Sequence, residues 1–313
     1  MSSRNYLLPS LILSTAVFVL APSAQAEDKV IKVGTLKVIH TITPYFYEKF
    51  TPPGYKIKVI PFETPTDGKN AVVTKSVDFG TYGVAAAIMG AGMGEPVVVI
   101  APSGNGGMAI VVRKDVGINN FKGLKGKKVG ILPGSTQEAI FLDRLKAETM
   151  TLRDVKSVRL SFSEMAGALE RGDIDAYIGA EPGPSVSVTR GVGKILEYPY
   201  NTAVGNLNTV MTANASTLKN DPELVKVFLK IHKQASEYAM ANRPAVIGMS
   251  RAKLGLSSAV ADLASKNVTY SWKVDSTWNK RVQYYSSLML ERKQIRKLPE
   301  FNRLVDTRFN PKN

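Results

Sequence analysis

The chain has 313 residues, 41 Lys and Arg against 26 Asp and Glu, a net charge of +15 and no cysteine. Lack of thiols excludes disulfide staples, thiolate metal sites, a cysteine nucleophile and a lipid-modified N-terminal cysteine. The positive excess suits nucleic acid, an acidic surface or an anionic solute, but the basic residues are scattered and form no recognised basic module, which weighs against nucleic acid.

The N-terminus reads as an export signal. Arg4 is the single charge before the apolar run Leu7 to Leu20, and Ala24-Gln25-Ala26 closes it as an A-x-A cleavage site. The run is short of the roughly 17–25 residues that span a bilayer. Cleavage after Ala26 leaves residues 27–313, with 40 basic against 26 acidic residues, or +14. No later stretch is apolar enough to cross a membrane, so a soluble, monomeric, periplasmic protein is expected, large enough for two lobes.

Apolar runs then alternate with helical stretches, the pattern of α/β layers. Strands are expected at Val30–Thr35 and Lys56–Pro61, a helix at Asp67–Lys75 capped by Asp67, and a strand at Val77–Gly80. A small-residue helix at Val84–Ala91 and strands at Val97–Ala101 and Met108–Arg113 follow. A second series runs from Lys128–Leu132 through a helix at Ser135–Glu148 and a strand at Val155–Leu160. The Ser161/Glu164 pair caps a helix ended by Gly172. Ile174–Ile178, a short helix Ser185–Arg190 and Ile195–Tyr198 complete it. Asn208–Ala213 returns as a strand, and helices cover Asp221–Met240, Arg243–Leu254, Ser257–Lys266 and Asp275–Arg292. From Pro299 the chain is expected to wrap in extended form.

Ser76-Val77-Asp78-Phe79-Gly80 and Asp173-Ile174-Asp175-Ala176-Tyr177 echo each other where a helix hands over to a strand. Either this is a common turn, or the two series share one plan. The chain would cross between lobes near residues 113 and 207. That gives lobe 1 as 27–113 plus 208–313, lobe 2 as 114–207, and a cleft beyond the carboxyl ends of the strands.

The helix opening at Pro133-Gly134-Ser135-Thr136-Gln137 is the strongest site signal. A helix start carries unpaired N–H groups and the positive end of the macrodipole, so it suits an anion, and Gly134 permits close approach. Ser135 with Glu138 is equally a capping box that closes the helix on itself. Lys122, Lys125, Lys127 and Lys128 form the densest basic cluster and Arg292, Lys293, Arg296 and Lys297 a second; both read as solvated faces before anything else. His40 follows the first strand and could face the cleft, though a lone His is as often structural. His232, inside a helix, is structural. Tyr45, Phe46 and Tyr82 could stack on a planar ligand or belong to the core.

VDFGTYG at 77–83, GEPVVVIAP at 94–102, FKGLKGKKVGILPGSTQ at 121–137 and ALERGDIDAYIGAEP at 168–182 resemble, in order and spacing, the periplasmic solute-binding proteins of ABC importers for nitrate, taurine, aliphatic sulfonates and thiamin-pyrimidine precursors. The likeness covers almost the whole mature chain. It implies a two-lobe periplasmic binding protein fold of type II, each lobe a mixed sheet flanked by helices, closing on a small solute destined for an ABC permease and its ATPase. It implies ligand-facing positions at Gly80-Thr81-Tyr82, at Ser103, Gly104 and Asn105, at Ser135, Thr136 and Gln137, at Glu181-Pro182, and at Asn208 and Thr209. The chain departs from the family with Tyr177 and Ala180 where Trp is common, and with His40-Thr41-Ile42-Thr43-Pro44-Tyr45-Phe46 after the first strand.

An organic acid or sulfonate is the first expectation for the solute, a zwitterion such as taurine the second, a neutral pyrimidine the third. A sensor partner without a transporter is an alternative. No zinc spacing, G-x-S-x-G elbow or P-loop occurs, and the pyrimidine synthases of related fold depend on Cys- and His-containing signatures that this chain lacks. No cofactor, metal or enzymatic activity is therefore expected.

Overall fold

Residues 27–312 are described by the computed structural model; the expected signal segment lies outside them. They hold twelve strands: β1 (Lys29–Leu36), β2 (Tyr55–Phe62), β3 (Phe79–Gly83), β4 (Val97–Pro102), β5 (Gly104–Gly106), β6 (Met108–Arg113), β7 (Lys128–Ile131), β8 (Lys156–Arg159), β9 (Ala176–Ala180), β10 (Gly193–Glu197), β11 (Thr209–Asn214) and β12 (Val268–Tyr270). One sheet runs β2-β1-β3-β11-β4 and a second β10-β6-β9-β7-β8. In each, three parallel strands meet an antiparallel one, β11 in the first and β6 in the second. Helices cover both sheets, so strands such as β4, at one edge of the first sheet, and β9, central in the second, are buried along their whole length and read as continuous apolar runs.

The local rules mostly hold. Phe162–Arg171 starts with the Glu164 carboxylate accepting the Ser161 N–H at 2.7 Å and ends at Gly172 with φ 78°, where glycine avoids the left-handed penalty. The helix Pro222–Ala241 buries Leu224, Val225, Phe228, Leu229, Ile231 and His232, a stripe at helical spacing. Phe228 stacks on Phe79 of β3 with ring centroids 3.6 Å apart.

Other expectations need correction. The helix expected at Asp67 begins at Pro65, because Thr64 caps it by accepting the Asp67 N–H. The strand after it starts at Phe79 and not at Val77, since Asp78 is spent holding Lys32 of β1. β6, assigned in advance to lobe 1, hydrogen-bonds to β9 and β10 of the second sheet, so the chain crosses at residues 103–107 instead of 113. Two features had no sequence signal: the 3-10 stretch Thr43–Phe50 and the two-stranded ribbon β5–β12. The tail after Pro299 includes a short helix, Phe301–Leu304.

At the crossing the two connections are tied together. Thr209 Oγ1 donates to the Gly104 carbonyl at 3.0 Å and accepts the Gly104 N–H at 2.8 Å. Gly106 N–H donates to Asn206 O at 2.8 Å, and β12 closes against β5. The crossing is thus a narrow three-stranded strap between the lobes.

Candidate functional site

Residues expected in the site separate into two groups on the seam between the lobes, with two exceptions. The first group sits on the strap. His40 is fully buried, its Nε2 2.9 Å from the Gly106 carbonyl. Burial lowers its pKa to about 4, so it is neutral at physiological pH. Ser103 accepts the Thr81 hydroxyl at 2.9 Å, Gly104 is bound by Thr209, and Asn105 pairs with Thr269 and bridges Leu207. Asn208 Nδ2 donates to Gly106 O at 2.8 Å. Glu181, expected to face the ligand, is 1 % exposed; it accepts the Asn267 amide at 2.7 Å and the Ser185 N–H at 3.1 Å.

The second group is the helix start at 135–137. Ser135 Oγ accepts the Glu138 N–H at 3.1 Å, and the Glu138 carboxylate accepts the Gly134 N–H at 2.8 Å. Capping is therefore real. It is incomplete, however: the amides of Thr136 and Gln137 make no hydrogen bond among the described residues. This tip faces another. Gly83 ends β3 and opens the helix Val84–Gly92 without any side-chain cap, and a Cβ on Gly83 would stand 2.7 Å from Thr136 Oγ1. Asn208 O lies between them, accepting the Val84 N–H at 2.9 Å and the Thr136 hydroxyl at 3.3 Å. The Ala85 and Ala86 amides are also free among the described residues. Two helix starts, one from each lobe, thus meet head to head, with Thr136, Gln137, Ala85 and Ala86 all buried. Two positive ends in a dry seam repel unless negative charge sits between them.

Tyr82 and Tyr45 are the exceptions, Tyr82 the clearer. The Tyr82 ring lies inside lobe 1 against Gly68 and Gly80, so it is core and not a stacking platform. Tyr45 is half-buried beside Lys253, whose Nζ lies 5.6 Å from its ring centroid. His232 is structural as expected: it bridges Tyr47 OH at 2.7 Å and the Pro102 carbonyl at 2.8 Å.

A cleft of about 610 Å³ opens on the same seam, between the carboxyl ends of β1 and β2 and the helices after β8 and β9. Its floor is apolar, with Val38, Phe162, Ala166, Val186, Leu254 and Leu256, and its rim carries Lys37, Arg190, Lys253 and Glu63. Lys37 pairs with Glu63, and Arg190 with Glu170. Lys253 has no carboxylate partner among the described residues. None of these floor and rim residues was expected in the site from the sequence. Lys37, one residue past the carboxyl end of β1, had a positional signal; Lys253, 217 positions after the end of β1, had none.

Two mixed sheets, a double strap and a shared seam define a periplasmic binding protein fold. Residues 46–245 match the family described as NMT1/THI5 like, and the chain belongs to that family. It is similar to a putative aliphatic sulfonates-binding protein of Bacillus subtilis, 25 % identical over 239 residues and 72 % of each chain. It is also similar to 4-amino-5-hydroxymethyl-2-methylpyrimidine phosphate synthase of Aspergillus parasiticus, 25 % identical over 264 residues, 76 % of this chain and 75 % of that one. Among solved structures, the periplasmic aliphatic sulphonate binding protein of Escherichia coli superposes with a TM-score of 0.75 at 18 % identity, covering 92 % of this chain and 95 % of the other. The relatives thus include solute receptors and an enzyme.

Proposed function

We propose that the protein is a periplasmic receptor that closes on a small organic anion, a sulfonate or carboxylate, and delivers it to an ABC permease. The head-to-head helix starts at Gly83 and Ser135 carry this reading: four buried amides and two dipole ends converge where a negative group would answer both the donors and the dipoles. The ligand's acidic group would enter between the tips, displacing the Thr136–Asn208 contact. The apolar floor of the neighbouring cleft would hold its organic part and Lys253 would add long-range attraction. The names of the sulfonate-binding relatives agree with this class of solute. Both histidines are committed to structural hydrogen bonds, which supports a binding protein over an enzyme. Binding would act by stabilising the closed arrangement of the lobes.

A thermal-shift screen of alkanesulfonates, carboxylates, amino-sulfonates and pyrimidines tests the reading, followed by calorimetry on the best compound. Anions should stabilise the protein. Gly83→Ala, which places a methyl between the tips, should weaken binding roughly tenfold or more with only a modest fall in the ligand-free melting temperature, because the 2.7 Å contact it makes is to the movable Thr136 hydroxyl; Lys253→Gln should cost about fivefold. Stabilisation by neutral pyrimidines alone, or full affinity in Gly83→Ala, would overturn the proposal.

A further inference from the structure

Glu181 is left unused by that mechanism. It closes β9 in lobe 2, and its carboxyl is almost completely buried at the strap. Its Oε1 accepts the side-chain amide of Asn267, which caps the helix Ser258–Lys266 of lobe 1. The backbone repeats the link: Asn267 O accepts the Gly107 N–H, and Gly107 O accepts the Glu181 N–H, each at 2.8 Å. Asn267 therefore reaches across the crossing and grips the one acidic side chain there.

Among the described residues no cation pairs with that acid. His40, at Gly106 and Gly107, is neutral; Tyr177, Tyr198 and Tyr200 face the carboxyl as uncharged phenols with raised pKa values; Lys266, next to Asn267, is paired with Asp262 at 2.9 Å. Desolvation raises the Glu181 pKa above the usual carboxylate range, with the Asn267 and Ser185 bonds only partly opposing it. Ser185 Oγ, also buried, has no hydrogen-bond partner among the described residues and sits one helical turn from Glu181, where it would accept a hydrogen bond from a protonated Glu181 carboxyl.

We propose that Glu181 is a positioning residue for lobe closure: held by Asn267, it latches the closed form, and closure brings a proton onto its carboxyl, with Ser185 as acceptor. Opening withdraws Asn267 and hydrates the group, which then ionises. By linkage the open-to-closed ratio falls as pH drops. The device works whatever the protein binds.

The cysteine-free chain allows a direct measurement. Spin labels on Thr189→Cys and Arg251→Cys, exposed positions on the two helices, Gly183–Thr189 and Arg243–Leu254, that flank the cleft, report the interlobe distance without ligand between pH 8 and 5, above the range where the buried histidines titrate. The closed population should grow, the ratio changing by roughly threefold or more. Glu181→Gln, a permanently protonated mimic, should stay closed with a flat profile. Asn267→Ala should favour the open form at every pH, and it serves as the test should Glu181→Gln fail to fold. A flat wild-type profile, a Glu181→Gln profile that follows wild type, or an unchanged distance in Asn267→Ala would each overturn the latch.

Discussion

The two lobes follow one strand plan and distribute bulk and charge differently over it. β2-β1-β3-β11-β4 corresponds to β8-β7-β9-β6-β10 strand for strand, with the same directions. At the handover into the third strand, Asp78 accepts the Lys32 N–H at 2.7 Å and returns its own N–H to Lys32 O at 2.9 Å. Asp175 does the same with Lys128, at 2.9 and 2.8 Å. Past the Asp the order of residues reverses: Gly80-Thr81-Tyr82 in lobe 1, Tyr177-Ile178-Gly179 in lobe 2. Each tyrosine lies over the glycine two places along its own strand. The reversal sends the Tyr82 ring back under the helix Pro65–Val73 and carries the Tyr177 hydroxyl to Ser187, toward the cleft. A backbone contact preserves the plan, and packing is free to differ.

Charge separates the lobes more sharply. The chain's two histidines, His40 and His232, both belong to lobe 1, fully buried, with pKa values lowered to about 4. In the unfolded chain each titrates near 6.5. Between those values the unfolded state binds more protons, so stability falls as pH drops from about 6.5 and levels off below about 4. The loss is roughly 3 kcal/mol per histidine, and it should appear first in lobe 1. Urea unfolding at pH 7 and 4, with hydrogen exchange read by lobe, measures it. Acid loss that begins in β6 to β10 would break the comparison.

Gly80→Ala and Gly179→Ala come next. An alanine methyl at 80 would stand 2.6 Å from Val72 Cγ2 and 3.0 Å from the Tyr82 ring; at 179 it would stand 2.7 Å from the Tyr177 ring and 3.3 Å from Met165 Sδ. Each should cost about 1–3 kcal/mol by overpacking. Shortening the tyrosine in the same background should recover part of that cost, as coupled neighbours do. Additive double variants would show that the ring and glycine are independent and the reversed pairing accidental.

Much of the fold was legible because strand runs, capping residues and the stripe of Pro222–Ala241 are local patterns. The Asp78/Asp175 echo was visible too, though the residues alone left open whether it was a common turn or a shared plan; the matching bonds to Lys32 and Lys128 decide it. The lobe boundary was misplaced because β6 is apolar on both sides and fits either sheet equally well by pattern. For the site, the helix start at Ser135 stood out from its Gly-Ser-Thr signature. Its opposite number at Gly83 did not, because an uncapped start built from Val and Ala carries no polar mark. Lys253 and Asn267 reach their places through contacts formed across the whole chain, which spacing cannot register.

The smallest expected effect tests the echo itself. Asp78→Ala and Asp175→Ala each remove the acceptor for one strand N–H at a half-exposed position, where water replaces part of the bond, so each should cost about 1 kcal/mol. Asp175 also lies 3.9 Å from Arg113, too far to add more than a few tenths of a kcal/mol. Asn at either position keeps an acceptor oxygen and should restore most of the loss. Urea midpoints for the four variants decide the matter. Near-equal alanine costs with matching Asn recovery mean that the two lobes use the same device to join the first and third strands; a cost in one lobe with none in the other would reduce the echo to coincidence.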